Sequence, residues 1–169
     1  EDCLYLNIWT PASGETGKKL PVAMWVHGGA YMAGWGFEPE MDGEAWAKNG
    51  VILVTINYRL GIFGFLAHPE LSAENKNHVS GNYGMLDQIA ALKWIVNNIR
   101  QFGGDPENIT IFGQSAGAAS IQTLVTSPLS KEIPKKAIIQ SGGGISEKAL
   151  MGNTKVSDAE QNGRKLMDW

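Results

Sequence analysis

The sequence of 169 residues has one cysteine and three histidines, and both scarcities limit its chemistry. A single thiol, Cys3, cannot close an internal disulfide, and its place in the lead-in to Leu4-Tyr5-Leu6-Asn7-Ile8-Trp9 suits an inert or externally paired thiol better than a nucleophile. No apolar run approaches the roughly 20 residues of a membrane span. No cluster or stripe of Lys and Arg accompanies the net charge of −3, so the footprint of nucleic-acid or anionic-membrane binding is missing. The chain lacks an initiator Met and a signal peptide and opens in mid-pattern on Glu1-Asp2, so it is expected to be a fragment, a domain truncated at both ends, with its compartment unknown. Nothing in it calls for a cofactor or a metal.

What is present belongs to a globular domain with a real core: 43% hydrophobic and 18% charged residues in a length of about one domain. Five apolar runs read as strands, at 4–9, 22–26, 51–56, 109–112 and 137–140. Several are unbroken rather than alternating, as in strands covered on both faces of a parallel sheet. Helical patterns lie at 43–49, 83–102, 115–126 and 157–169. In the longest, Leu86, Ile89, Ala90, Leu92, Lys93, Ile95, Val96 and Ile99, with Trp94 beside them, form a broad apolar face that predicts packing on the sheet. The stretch from Ala67 to Ser80 reads as a polar loop. Strands and helices in this order predict an α/β fold, with ligand sites at the carboxyl ends of the strands. Asn108-Ile109-Thr110 satisfies the N-x-T glycosylation pattern but falls at the start of a buried strand, which favours a structural reading.

Gly113-Gln114-Ser115-Ala116-Gly117 is a G-x-S-x-G pentapeptide, common by itself, but here placed between the strand 109–112 and the helix 115–126. A strand-to-helix turn this tight strains its central residue and holds the serine oxygen out above the sheet. After the strand 22–26 comes His27-Gly28-Gly29-Ala30, followed by aromatic and apolar residues at Tyr31, Met32, Trp35 and Phe37. A hydroxyl that attacks an acyl carbonyl makes an oxyanion, and fixed backbone N–H groups stabilise it by about 3 to 4 kcal/mol per donor. Glycines let such amides turn inward, and the N–H of Ala116, at a helix start, supplies a further donor. H-G-G alone would be a tight turn; beside a serine elbow it reads as half of an esterase site.

Glu1-Asp2-Cys3-Leu4-Tyr5-Leu6-Asn7-Ile8-Trp9 resembles a signature of the type-B carboxylesterases, the family of cholinesterases, bile-salt-activated lipases and bacterial para-nitrobenzyl esterases. Phe102-Gly103-Gly104-Asp105-Pro106-Glu107-Asn108 running into the pentapeptide resembles that family's active-serine signature. Asn57-Tyr58-Arg59-Leu60-Gly61, Gly64-Phe65-Leu66 and Gly81-Asn82-Tyr83-Gly84-Met85-Leu86-Asp87-Gln88 match it in order and spacing, over about residues 1 to 145. The resemblance implies an α/β-hydrolase fold, here partial, with a mostly parallel central sheet flanked by helices. It implies Ser115 as nucleophile, Gly29, Ala30 and Ala116 as oxyanion donors, and Gly28 as the residue shaping the turn. Arg59 and Asp87 would form a buried structural ion pair, Ser141 would stand behind the nucleophile, and Cys3 and Glu1 would pair with an upstream cysteine and arginine. Many relatives carry Glu where this chain has Gln114, which removes a charge beside the nucleophile and speaks against choline esters. Ala30 replaces the third glycine many relatives have, narrowing the space near the acyl group.

The triad order of α/β-hydrolases is Ser, then Asp or Glu, then His. His27, His68 and His78 all precede Ser115, and none follows it. His27 belongs to the H-G-G turn, where a backbone hydrogen bond would make it a brace; His68 and His78 read as surface residues. Glu147, Asp158, Glu160 and Asp168 fall in a surface-helix pattern and take no triad role. The expected function is a carboxylic ester hydrolase with a serine acyl-enzyme, its base and acid lying downstream, so that the fragment alone is inactive. The alternative is a cholinesterase-like interaction domain that has lost catalysis. Expected partners are a small-molecule carboxylic ester and the remainder of the hydrolase domain, with no nucleic acid and no membrane span.

Overall fold

A computed structural model describes residues 2–144 and 155–167. The five expected strands all form: β1 (Leu6–Trp9), β2 (Leu20–Val26), β3 (Ile52–Ile56), β4 (Gly104–Gln114) and β5 (Lys136–Gln140). They make one sheet in the order β1-β3-β2-β4-β5, with β1 antiparallel to β3 and the other pairs parallel. Because β3, β2, β4 and β5 run the same way, the segments that follow them all leave from one edge of the sheet. Those segments are Asn57-Tyr58-Arg59-Leu60-Gly61, His27-Gly28-Gly29-Ala30, the serine elbow and Ser141-Gly142-Gly143-Gly144.

The helices are α1 (Glu44–Lys48), α2 (Gly61–Phe65), α3 (Pro69–Glu74), α4 (Tyr83–Asn98), α5 (Ala116–Thr126) and α6 (Val156–Met167). Side chains of β2 alternate between two cores, as the period of a strand requires. Val22, Met24 and Val26 join Val54, Ile56, Ile111 and the inner faces of α4 and α5 in the larger one, while Ala23 and Trp25 join Leu53, Phe112 and, from α1, Trp46 in the smaller. Each such aliphatic side chain taken fully out of water contributes about 1.5 to 3 kcal/mol.

Four sequence expectations need correction. The loop 67–80 contains α3, started by Pro69 at its first position, with the His68 ring accepting the Glu70 N–H. The long helix ends at Asn98 and tightens into a 3-10 turn over Ile99–Phe102, where Gly103 takes a left-handed φ of 82°. Its inner face carries Met85, Asp87 and Gln88 as well as Ile89, Leu92 and Ile95, whereas Leu86, Ala90 and Lys93 are exposed. Strand β5, an unbroken apolar run of the kind that suits a covered strand, is exposed along its whole length, and among the described residues only β4 pairs with it. The C-terminal helix forms as α6, docked through Glu160, whose carboxylate accepts the Ser72 hydroxyl; Glu147 and Asp168 lie outside the described residues.

Candidate active site

Ser115 sits at φ 56° and ψ −119°, between the last residue of β4 and the first of α5. Left-handed backbone of this kind costs a residue with a Cβ about 1 to 3 kcal/mol and persists only where its surroundings impose it. Here the Ser115 N–H donates to the Gln140 carbonyl at 2.9 Å, and its own carbonyl accepts the Ala119 N–H at 3.1 Å. A Cβ on Gly117 would overlap the Val26 carbonyl, so the start of α5 lies directly against the end of β2. Serine at the start of a helix ordinarily folds its hydroxyl back to cap the first amides. At this φ it cannot, and the side chain makes no capping bond. Ser115 is half-buried at the start of α5, whose leading N–H groups have no partners within the helix.

The turn after β2 meets this elbow. A Cβ on Gly28 would stand 2.9 Å from the Gln114 carbonyl oxygen and 3.4 Å from the Ser115 Cβ, so only glycine permits the approach. Gly29, Ala30 and Tyr31 follow with φ of 97°, 54° and 61°. The Gly29 carbonyl accepts the N–H of Met32 at 2.9 Å and of Ala33 at 3.1 Å, which closes the turn and leaves Gly29 and Ala30 on its exposed side.

Behind the turn, the segment after β3 acts as a clamp. Asn57 Oδ1 accepts the Gly36 N–H at 2.7 Å, and the Gly61 N–H donates to the Tyr31 carbonyl at 2.7 Å. The Tyr58 hydroxyl donates to the His27 carbonyl at 2.9 Å, and its ring stacks on the imidazole with centroids 4.3 Å apart. Burial pushes the Tyr58 phenol well above its ordinary range, so it stays a neutral donor. His27 is buried, with Nδ1 2.8 Å from the Gly28 carbonyl. Burial lowers its pKa against the opposing pull of that carbonyl. The imidazole is therefore neutral, and as a donor to Gly28 its Nδ1–H braces the turn.

Arg59 and Asp87 meet through three bonds. Asp87 Oδ2 accepts the Arg59 backbone N–H at 3.0 Å and Nε–H at 2.8 Å, and Oδ1 accepts from Nη2 at 2.7 Å. The carboxylate is buried, but the guanidinium side chain is 37% exposed and lies over the Tyr83 ring, so the pair is only half covered. Ser141 has φ 52° and is exposed just beyond the Gln140 carbonyl that holds Ser115. Gln114 is exposed, with its side-chain oxygen beside Gly28. His68 caps α3, and His78 is exposed in the following loop. Among the described residues no three His, Cys, Asp or Glu side chains gather closely enough to hold a metal ion.

The profile of the Carboxylesterase family matches residues 1–167. The chain belongs to this family. It is 54% identical over 166 residues to the fumonisin B1 esterase of Sphingopyxis macrogoltabida, covering 98% of this chain and 30% of that protein. With the para-nitrobenzyl esterase of Bacillus subtilis (strain 168) the identity is 52% over 143 residues, covering 84% and 28%. The solved structure of a Geobacillus stearothermophilus carboxylesterase superposes with a TM-score of 0.86 at 46% identity, over 99% of this chain and 33% of that one. The fold is thus that of the α/β-hydrolases, in part: the chain spans about a third of the length of the carboxylesterases it matches.

Asn57, Tyr58 and Gly61 were present in the sequence as a motif without assigned roles. Their signal was positional, since they follow a strand that neighbours β2 and so had to emerge beside the turn they clamp. The tie between Tyr31 and Ser120 carried no comparable signal, because the two lie 89 residues apart in no shared motif.

Proposed function

We propose that the protein is a serine carboxylester hydrolase. The hydroxyl of Ser115 attacks the acyl carbon of a small-molecule ester, the N–H groups of Gly29, Ala30 and Ala116 hold the resulting oxyanion, and the alcohol departs to leave an acyl-enzyme. Water then hydrolyses that ester and frees the acid. One observation carries this reading: a serine in strained left-handed backbone, its hydroxyl uncapped at a helix start, with the glycine turn packed against it. Gly28 allows the approach, Arg59 and Asp87 fasten the floor, and Ser141 stands behind the elbow. The same features speak against an interaction domain without catalysis, which has no use for the strain.

The general base is a histidine oriented by an Asp or Glu, contributed from outside these 169 residues, which form part of a longer hydrolase domain. His27 is committed to the turn and to the Tyr58 ring, and is held neutral by burial rather than poised over the hydroxyl. Uncharged Gln114 beside the nucleophile disfavours cationic alcohols such as choline. In the intact protein, Ser115→Ala lowers para-nitrophenyl acetate turnover by about 10⁴-fold or more, and a fluorophosphonate labels Ser115 in the wild type. Turnover that survives the substitution overturns the proposal. The isolated chain turns over no ester, and Ser115-dependent activity from it would refute the external base.

A further inference from the structure

We propose that Tyr31 is a positioning residue that joins the two halves of the oxyanion hole, an inference that rests on the esterase reading above. Two of the donors, Gly29 and Ala30, belong to the turn after β2, and the third, Ala116, belongs to α5. Nothing in the covalent chain holds these halves in register, since they lie 86 residues apart. Tyr31 touches both.

On the turn side, Tyr31 is the second of two consecutive residues other than glycine with left-handed backbone, at φ 54° and 61°. Such a pair is strained and needs an external hold. Its carbonyl takes the Gly61 N–H at 2.7 Å, and its ring packs on Phe65 with centroids 4.8 Å apart and edge-on to Tyr58 at 6.5 Å. On the helix side, the Ser120 hydroxyl donates to the Tyr31 phenol oxygen at 3.3 Å. Ser120 is fully buried and lies four residues after Ala116, so the two occupy one face of α5. A tie to Ser120 is therefore a tie to the element that aims the Ala116 N–H. The tether reaches from Gly61 through the turn to α5, and the Met85 sulfur, 3.7 Å from the Ser120 oxygen, closes the space behind it.

A group of this kind touches no reacting atom, so its loss shows in transition-state stabilisation rather than in substrate binding. In the intact protein, Tyr31→Leu lowers kcat for para-nitrophenyl acetate by about ten- to a hundredfold with KM within about twofold, and weakens a trifluoromethyl ketone inhibitor by the same factor. Tyr31→Phe keeps the ring and recovers most of that loss. Tyr31→Phe and Ser120→Ala each cost a few-fold in kcat, and the double variant costs no more than either alone, because both break one link. Amide exchange in the peptide spanning 27–37 speeds up in Tyr31→Leu and Ser120→Ala. Unchanged kcat in Tyr31→Leu, a loss confined to KM, or additive effects of the hydroxyl variants overturn the tether. If Tyr31→Leu does not fold, the Tyr31→Phe and Ser120→Ala cycle decides. Should the wild type prove inactive, or Ser115→Ala remain active, the esterase reading fails instead; unchanged exchange across 27–37 still refutes the tether.

Discussion

Strands β4 and β5 are neighbours in the sheet, yet their side chains differ in how far they are covered. Beyond β4, the elbow is pressed so closely against β2 that no side chain fits at Gly117, and Ser115 is fixed by backbone bonds on both sides. All five residues of β5 are exposed, and Ile138 and Ile139 keep 48% and 44% of their surface in water although their strand is hydrogen-bonded in full register. Backbone pairing alone does not make a core. The elbow is packed by the end of β2 with its glycine turn and held by Gln140 at the end of β5, whereas among the described residues β5 has a strand on one side only.

The sharpest way to break this contrast is to cut equally into both strands. Ile111→Ala in β4, where the side chain is fully buried, is expected to cost about 2 to 5 kcal/mol, against less than about 1 kcal/mol for Ile139→Ala in β5. Urea denaturation of the 169-residue chain measures both, and equal losses there would break the contrast. Next in size is Gly117→Ala, which drives a methyl into the Val26 carbonyl and costs about 3 kcal/mol. Gly17→Ala, where the added carbon meets nothing within 4 Å, is expected to stay within about 0.5 kcal/mol.

Asp87→Asn is expected to be smaller again, about 1 to 3 kcal/mol. It removes the charge that three Arg59 N–H groups share but leaves a guanidinium that is already partly in water. Measuring its midpoint in low and high salt sharpens the point, since a loss that vanishes in salt would assign the pair to the surface. The smallest effect is that of pH on His27. Burial lowers its pKa from 6.5, so below that value the unfolded chain binds a proton that the folded chain refuses. Stability from this group is whole above about pH 6.5 and declines as the pH falls towards the depressed folded value. His27→Asn keeps an amide nitrogen near the Nδ1 position and removes the titration, so its urea midpoint should fall less between pH 7.5 and 5.5 than that of the wild type. An equal fall would place a proton on His27 in the folded state.

Much of this architecture could be read from the residues. Apolar runs, several of them unbroken, marked all five strands, because burial of aliphatic side chains is written into composition, and the glycines and serine of the pentapeptide marked the elbow, because only a few residues survive so tight a turn. The short helix α3 was hidden, since six residues with one buried side chain carry no periodicity to detect. The inner face of α4 was misjudged at Leu86, Ala90 and Lys93 for a related reason: Asp87 turns inward to meet Arg59, a partner from another element.

By itself, then, the sequence determined the strands, the α/β class, the serine elbow and the glycine turn, all of them consequences of local backbone sterics and residue chemistry. Only the tertiary structure decided that Gly28 lies against Ser115, that Asn57, Tyr58 and Gly61 clamp the turn, and that Tyr31 spans from that turn to Ser120. Those are contacts between segments tens of residues apart. Their geometry depends on strand order and helix packing, which no local pattern encodes.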